Sequence, residues 1–339
     1  MKKFLILFYI LGFSFTGFAG DATRKGTSGA EQLLIPVGAR SIATGGAFLS
    51  IVDGVEAIYY NPAGLDRMSG SEAMFSYMNY VADINLAYVA IGAQLGDLGS
   101  LALSYKTLDF GDIPVTTFET PDGTGETYSP SFIVAGLTYS KVLTDRVSAG
   151  FTFKIVHEGI MNTSADGVAL DFGVQYRFRS NFGIGAAVKN IGTNMAYSGE
   201  DLKVKTGIPN TALSSGTGVY EVDTEEFQIP SYFELSLSYK YDIDEQNNLA
   251  MASFFRNNNN LEDLMGVGLE YAFMNTFYLR GGYNFLLENT SQSIFDFTFG
   301  AGVDYEMASG INLAFDYAYR NVKEFPTANH IMTFKIGLR

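Results

Sequence analysis

Few residues in this chain could do chemistry. His157 and His330 are the only histidines, and cysteine is absent. A Ser-His site would need one of them beside a serine and an acidic or amide partner. Both lie near the ends of separate alternating segments, where a rim or loop histidine is the simpler reading. A transition-metal site lacks ligands. Asp242, Asp244, Gln246 and Asn247 gather side-chain oxygens in one turn. That turn has neither the bend glycine nor the closing Glu of a calcium loop, so it reads as solvated. Gly45 and Gly46 lack the Lys-Ser/Thr context of a phosphate cradle, and close backbone packing explains them better. No catalytic residue, cofactor or metal site is expected.

The other charged residues are more informative. Lys154, Asp171, Arg177, Glu234, Lys240, Arg280, Asp296, Asp304, Asp316, Arg320 and Lys335 sit in apolar segments of period two, on the face opposite the apolar one. In Val147 to Ile155, for example, Val147, Ala149, Phe151, Phe153 and Ile155 alternate with Ser148, Gly150, Thr152 and Lys154. Phe233, Leu235, Leu237, Tyr239 and Tyr241 alternate with Glu234, Ser236, Ser238 and Lys240. Strict alternation predicts strands with two different faces.

About 14 such strands follow residue 70, each of the length a tilted membrane strand needs. The connections alternate between short (96–97, 143–145, 179–181, 242–246, 274–275, 307–309) and generally longer, notably 109–130 and 192–230. That is the pattern of short periplasmic turns and long outer loops. Tyr and Phe cluster near strand ends, as interfacial girdles do. A soluble sandwich is the competing reading. It would bury its apolar faces in one core, and these faces are too extensive for that. The predicted fold is therefore all-β: a transmembrane antiparallel β-barrel. Charges facing lipid at mid-depth would cost about 2–4 kcal/mol each for Lys or Arg, so these must face a lumen or a plug. Their mixed signs predict paired networks that fix a plug, not a single-sign filter for ions.

Composition agrees. The 339 residues are 47% hydrophobic, with a formal net charge of -14, which argues against nucleic-acid partners. Residues 1–19 have a basic start (Lys2, Lys3), an apolar run and a small-x-small end at Gly17-Phe18-Ala19. They read as a secretory signal cleaved near Ala19. Residues 20–70 would form the plug and 71–339 the barrel. Loop 192–230, rich in acids such as Glu200, Asp201, Glu225 and Glu226, is long enough to act as a lid or to grip a partner.

The stretch from Pro36 to Met68, PVGARSIATGGAFLSIVDGVEAIYYNPAGLDRM, has neither strand alternation nor a helical stripe. Its glycines and its Asn61-Pro62 turn predict a compact segment with closely approaching backbones. Arg40 and Asp53 in it could pair with the inward charges, and Gly64 is expected to adopt a conformation that other residues resist.

At Gly38, Ala39, Arg40, Gly45, Gly46, Ala47, Asp53, Asn61, Pro62, Ala63 and Gly64 this stretch resembles the N-terminal signature of the PorV/PorQ-like outer-membrane proteins. That family is related to the FadL/TodX-type channels for hydrophobic compounds. The plain NPAG ending departs from the secretion-system PorV proteins proper. The resemblance implies a barrel with an N-terminal plug in the outer membrane of a Gram-negative bacterium, surrounded by outer-membrane lipids. It implies a secretion-associated or structural role, with exported proteins or secretion-system subunits as partners. The alternative it carries is FadL-like uptake of hydrophobic small molecules such as long-chain fatty acids. An outer-membrane lipid hydrolase is the least favoured.

Overall fold

The computed structural model describes residues 26–207, 217–288, 293–308 and 310–338. The signal segment and its cleavage site, and Ile208, Pro209 and Leu213 of the long loop, lie outside them. The strands are β1 (Ser71–Asn79), β2 (Asn85–Gln94), β3 (Ser100–Asp109), β4 (Ser131–Val142), β5 (Val147–Ile160), β6 (Thr163–Arg177), β7 (Phe182–Gly192), β8 (Tyr232–Asp242), β9 (Asn248–Asn258), β10 (Leu264–Phe273), β11 (Phe277–Leu286), β12 (Phe295–Glu306), β13 (Ile311–Val322) and β14 (Asn329–Leu338). Each pairs antiparallel with its sequence neighbour. β14 also pairs with β1, in the register Ser71 opposite Leu338 through Asn79 opposite His330. The 14 strands thus close into a barrel with no free edge.

Side chains alternate as the sequence pattern requires. Phe151, Phe153 and Ile155 are exposed on the outside, while Ser148, Thr152 and Lys154 are buried inside. Phe233, Leu235 and Leu237 point out, and Glu234, Ser236 and Ser238 point in. An outward belt of this kind, continued by Phe315, Met332 and Phe334, is built to face hydrocarbon.

One connection differs from expectation. The connection between β5 and β6, one of those expected to be generally longer, is a two-residue turn at Met161 and Asn162. β5 and β6 run on past the belt, Gly159 pairing Ser164 and Ile160 pairing Thr163. The polar residues there are strand residues projecting beyond the belt.

The lumen is filled. Residues 26–68 carry helices α1 (Ala39–Ala43) and α2 (Ala57–Tyr60) and several single 3-10 turns. Ala39, Ala43, Ala47, Leu49, Val55, Ala57 and Leu65 are completely or almost completely buried. The plug backbone approaches the wall closely because the wall offers glycine. A side chain at Gly150 would strike Pro62, one at Gly185 Ser50, one at Gly282 Thr44 and Gly45, and one at Gly300 Ala43. Gly64 serves the same end. Its φ is not positive, contrary to expectation; a Cβ there would collide with the Val52 carbonyl and with Ala57. Close packing, not a left-handed backbone, demands that glycine.

Candidate functional site: plug anchors and cavities

Residues 61–67 tie the plug to the short-turn ends of β3 to β6, the ends that the connection pattern marks as periplasmic. Pro62 fixes the start of a 3-10 turn and holds Asn61 extended. The Asn61 side chain accepts from the Ala63 N–H at 3.2 Å and donates to the carbonyls of Leu49 (3.2 Å) and Val174 (3.1 Å). Ser140 Oγ donates to the Ala63 carbonyl, and Arg67 Nε donates to Ser148 Oγ. Asp66 accepts from Ser100 Oγ at 2.5 Å and from the Val142 N–H at 2.7 Å. Gln175 donates to the Leu49 and Val52 carbonyls.

The inward charges form two networks. In the first, Glu270 takes Arg40 from the plug at 3.0 Å and Arg280 from the wall at 2.6 Å. Arg280 also reaches Asp316 at 2.5 Å, and Arg40 reaches Asp53 at 3.3 Å. In the second, Asp171 Oδ2 holds Lys154 at 2.6 Å and Lys189 at 2.8 Å. Lys189 also donates to the Tyr59 carbonyl, and Lys106 donates to the Ile35 carbonyl at 3.0 Å. Sequence reasoning missed Lys106, Lys189 and Glu270. All three stand at alternating inward positions, so the same parity rule reaches them.

The remaining sequence candidates are spread along the lumen. Glu234 binds Arg256 at 3.3 Å. Arg177 donates to the Ile51 carbonyl at 3.4 Å. Asp304 accepts from Asn312, and Lys335 lines the same periplasmic chamber. Asp296 lies at the outer end, bound to Asn321 and Lys323. Lys240 is a correction. It is exposed at the periplasmic rim, 3.8 Å from Asp242, because β8 outruns the lumen there. Of the plug-motif residues, Gly38 and Gly54 sit against Glu56 and Glu72, while Gly45 and Gly46 take positive φ between α1 and the next turn.

Among the described residues neither histidine is hydrogen-bonded to a serine or threonine. His157 is 2.7 Å from Asp166 on the outer surface, and the next position on that face is Gly159. His330 pairs with the Tyr317 hydroxyl. In the Asp242–Asn247 turn, Asp244 accepts from the Gln246 and Asn247 N–H groups, as a solvated turn does.

Two cavities flank the plug. The outer one holds about 490 Å³ and opens at the mouth between residues 31–36 and the walls β3, β4 and β9 to β13. Leu34, Ile35, Leu108, Phe110, Phe132 and Phe295 make it apolar; Arg256 and Arg320 mark its floor. Arg320 lies 3.5 Å from the Phe295 ring centroid and has no carboxylate partner among the described residues. Glu31 also lines it, and burial raises its carboxyl pKa while the Ser28 hydroxyl opposes the shift. The cavity continues downward into a cleft of about 50 Å³ that ends on Ile42, Gly45, Gly46 and Tyr60 of the plug. Beyond α1 lies the inner chamber, about 270 Å³, lined by Arg40, Asp53, Arg67, Glu72, Asp304 and Lys335 among others. Between the two, Thr298 Oγ donates to the Ala43 carbonyl, and Gly282 lies against Gly45.

The barrel superposes on solved structures. The CymD monoaromatic hydrocarbon channel superposes with a TM-score of 0.54 at 13% identity, covering 89% of this chain and 97% of that one. The Pseudomonas putida toluene transporter TodX gives 0.51 at 14%, over 88% and 96%. A Pseudomonas aeruginosa FadL homologue gives 0.51 at 12%, over 89% and 98%. The chain has the fold of these channels. No family model matches it, and neither does any curated protein. The resemblance to PorV/PorQ-like proteins therefore rests on the wording of residues 38–64 alone.

The long loop packs over the mouth from the other side. Ser28 bridges Gln228, Met195 bridges Phe227, and Tyr197 donates to Glu158 at 2.7 Å. Lys203–Gly207 and Thr217–Glu221 form an exposed hairpin beyond it.

Proposed function

We propose that this protein is an outer-membrane channel that takes up hydrophobic molecules from the outside. The observation that carries the reading is the apolar cavity, open at the mouth and narrowing onto the plug. The fold shared with hydrocarbon channels supports it. In this reading a molecule enters between residues 31–36 and β9 to β13, and its apolar body displaces water from Leu108, Phe110 and Phe132. Arg256 and Arg320 receive an acidic head where there is one, as in a long-chain fatty acid. Passage then requires α1 and Gly45 to withdraw from Gly282 and Gly300, which opens the cleft to the inner chamber.

Uptake of a labelled fatty acid by cells that depend on this protein tests the proposal. Leu264→Trp, which fills the neck shared by cavity and cleft, should reduce uptake of fatty acid and toluene alike. Arg320→Leu should weaken fatty-acid uptake about tenfold and leave toluene unchanged, since a charged hydrogen bond is worth roughly 1.5–3 kcal/mol. Unchanged uptake in Leu264→Trp would overturn the route.

The secretion-associated reading rests on a different feature. Phe118, Val219 and Val222 are exposed on the outer loops, and such residues suit a protein partner. Loss of an exported protein from the surface on deleting 113–128, in cells whose fatty-acid uptake does not depend on this protein, would favour it over the channel.

A further inference from the structure

The outer face of β4 to β8 departs from the rest of the belt. The register aligns Tyr139, Phe151, Phe172, Val188 and Phe233 in one row across five strands. The next row toward the periplasm aligns Lys141, Ala149, Val174, Ala186 and Leu235. Two alanines beside a row of large side chains leave a depression. It holds about 550 Å³, with Leu143 at its lower edge and a lining that is apolar apart from Tyr139 and Lys141.

The charge at its lower end is also distinctive. The periplasmic turns 143–146 and 178–181 are neighbours and carry Arg146 and Arg179 beside Lys141, against one acid, Asp145. The turns 95–99, 243–247, 274–276 and 307–310 carry Asp97, Asp244 and Glu245 and neither Lys nor Arg. In a chain of formal net charge -14, these two turns are the ones at this rim that carry Lys or Arg; Lys240, on the adjoining strand end, lies 3.8 Å from Asp242.

We infer that this face seats one anionic phospholipid of the periplasmic leaflet. An acyl chain lies in the notch over Ala149 and Ala186, and the phosphate meets Lys141 and Arg146. The volume falls within the ~300–1,000 Å³ of small-molecule sites. Apolar contact alone would hold any lipid; the three cations select an anionic headgroup. The seat also touches the plug's anchor through one layer of backbone. Gly150, which lines the notch, packs against Pro62 on the inner face, and Gly173 against Asn61. The bound chain therefore braces the wall where the plug is tied.

Native mass spectrometry of the protein in mild detergent, offered phosphatidylglycerol and phosphatidylethanolamine with identical chains, tests this. Wild type should retain one phosphatidylglycerol, with roughly tenfold preference over phosphatidylethanolamine. Ala186→Phe should abolish retention, and Ala186→Leu should reduce it. Lys141→Gln with Arg146→Gln should remove the preference while leaving lipid bound. Val267→Phe, on the outer face of β10, should behave as wild type; heat-modifiable migration confirms that each variant is folded. Retention without headgroup preference in wild type, equal retention in Ala186→Phe, or a protein dimer in place of the lipid adduct would each overturn the inference.

Discussion

If residues 61–67 anchor the plug, Asn61→Ala should loosen the plug without unfolding the barrel. Asn61 is completely buried, and its side chain makes three hydrogen bonds. Loss of the cap to the Ala63 N–H costs about 1 kcal/mol. The two bonds donated by Nδ2 are worth about 1 kcal/mol each, and Val174 is a wall residue. Leu49's carbonyl keeps Gln175 as a second donor, which lowers the sum. Only the Val174 bond crosses from plug to wall, and the other two shape the turn that docks, so the plug should lose about 1–2 kcal/mol of docking free energy, raising its detached population roughly 5- to 30-fold. Because the chain has no cysteine, a single reporter is clean. Ser50→Cys places a thiol at a fully buried position against Ser236. Its labelling by a maleimide should accelerate by the same factor when Asn61→Ala is added, and planar bilayers should show more frequent conductance events. Barrel strands should keep their heat-modifiable migration, since their hydrogen bonds do not involve Asn61's side chain apart from Val174. Labelling that stays at the Ser50→Cys rate would refute the anchor. Loss of the folded band would refute the separability of plug and barrel.

Other outcomes follow from the same geometry. Phe315→Arg puts a cation against lipid and should cost about 2–4 kcal/mol at mid-depth, whereas Ala314→Arg points into the polar inner chamber and should cost less; urea unfolding in lipid vesicles measures both. Arg280→Ala leaves Asp316 buried without its cation and should destabilise by about 3–5 kcal/mol, more than Arg40→Ala, since Glu270 then keeps Arg280; the same unfolding series ranks them. Gly282→Val should displace Gly45 and speed Ser50→Cys labelling as Asn61→Ala does, while Gly281→Val, which meets little on the outer face, should not.

Alternation along each strand is local, and it alone determines which side chains face lipid. Phe151 and Thr152 are adjacent in sequence and lie on opposite sides of the wall, because period two leaves no other choice. Strand number and the presence of a separate compact N-terminal segment were legible for the same reason, while the tight turn at Met161 and Asn162 was not. Partnership across strands was not. Lys154, Asp171 and Lys189 come from β5, β6 and β7, and they meet because the β6–β7 register shifts at Asp171, where an extra residue of β7 leaves both Lys189 and Asn190 buried beside it. The role of Gly282 and Gly300 likewise depends on where the plug backbone lies, which sequence spacing does not encode. The mouth cavity belongs wholly to tertiary structure: its lining comes from the N-terminal segment, strands at opposite ends of the chain and two loops. A pattern of period two fixes which way a side chain points; only the register between strands and the docking of the plug decide what it meets there.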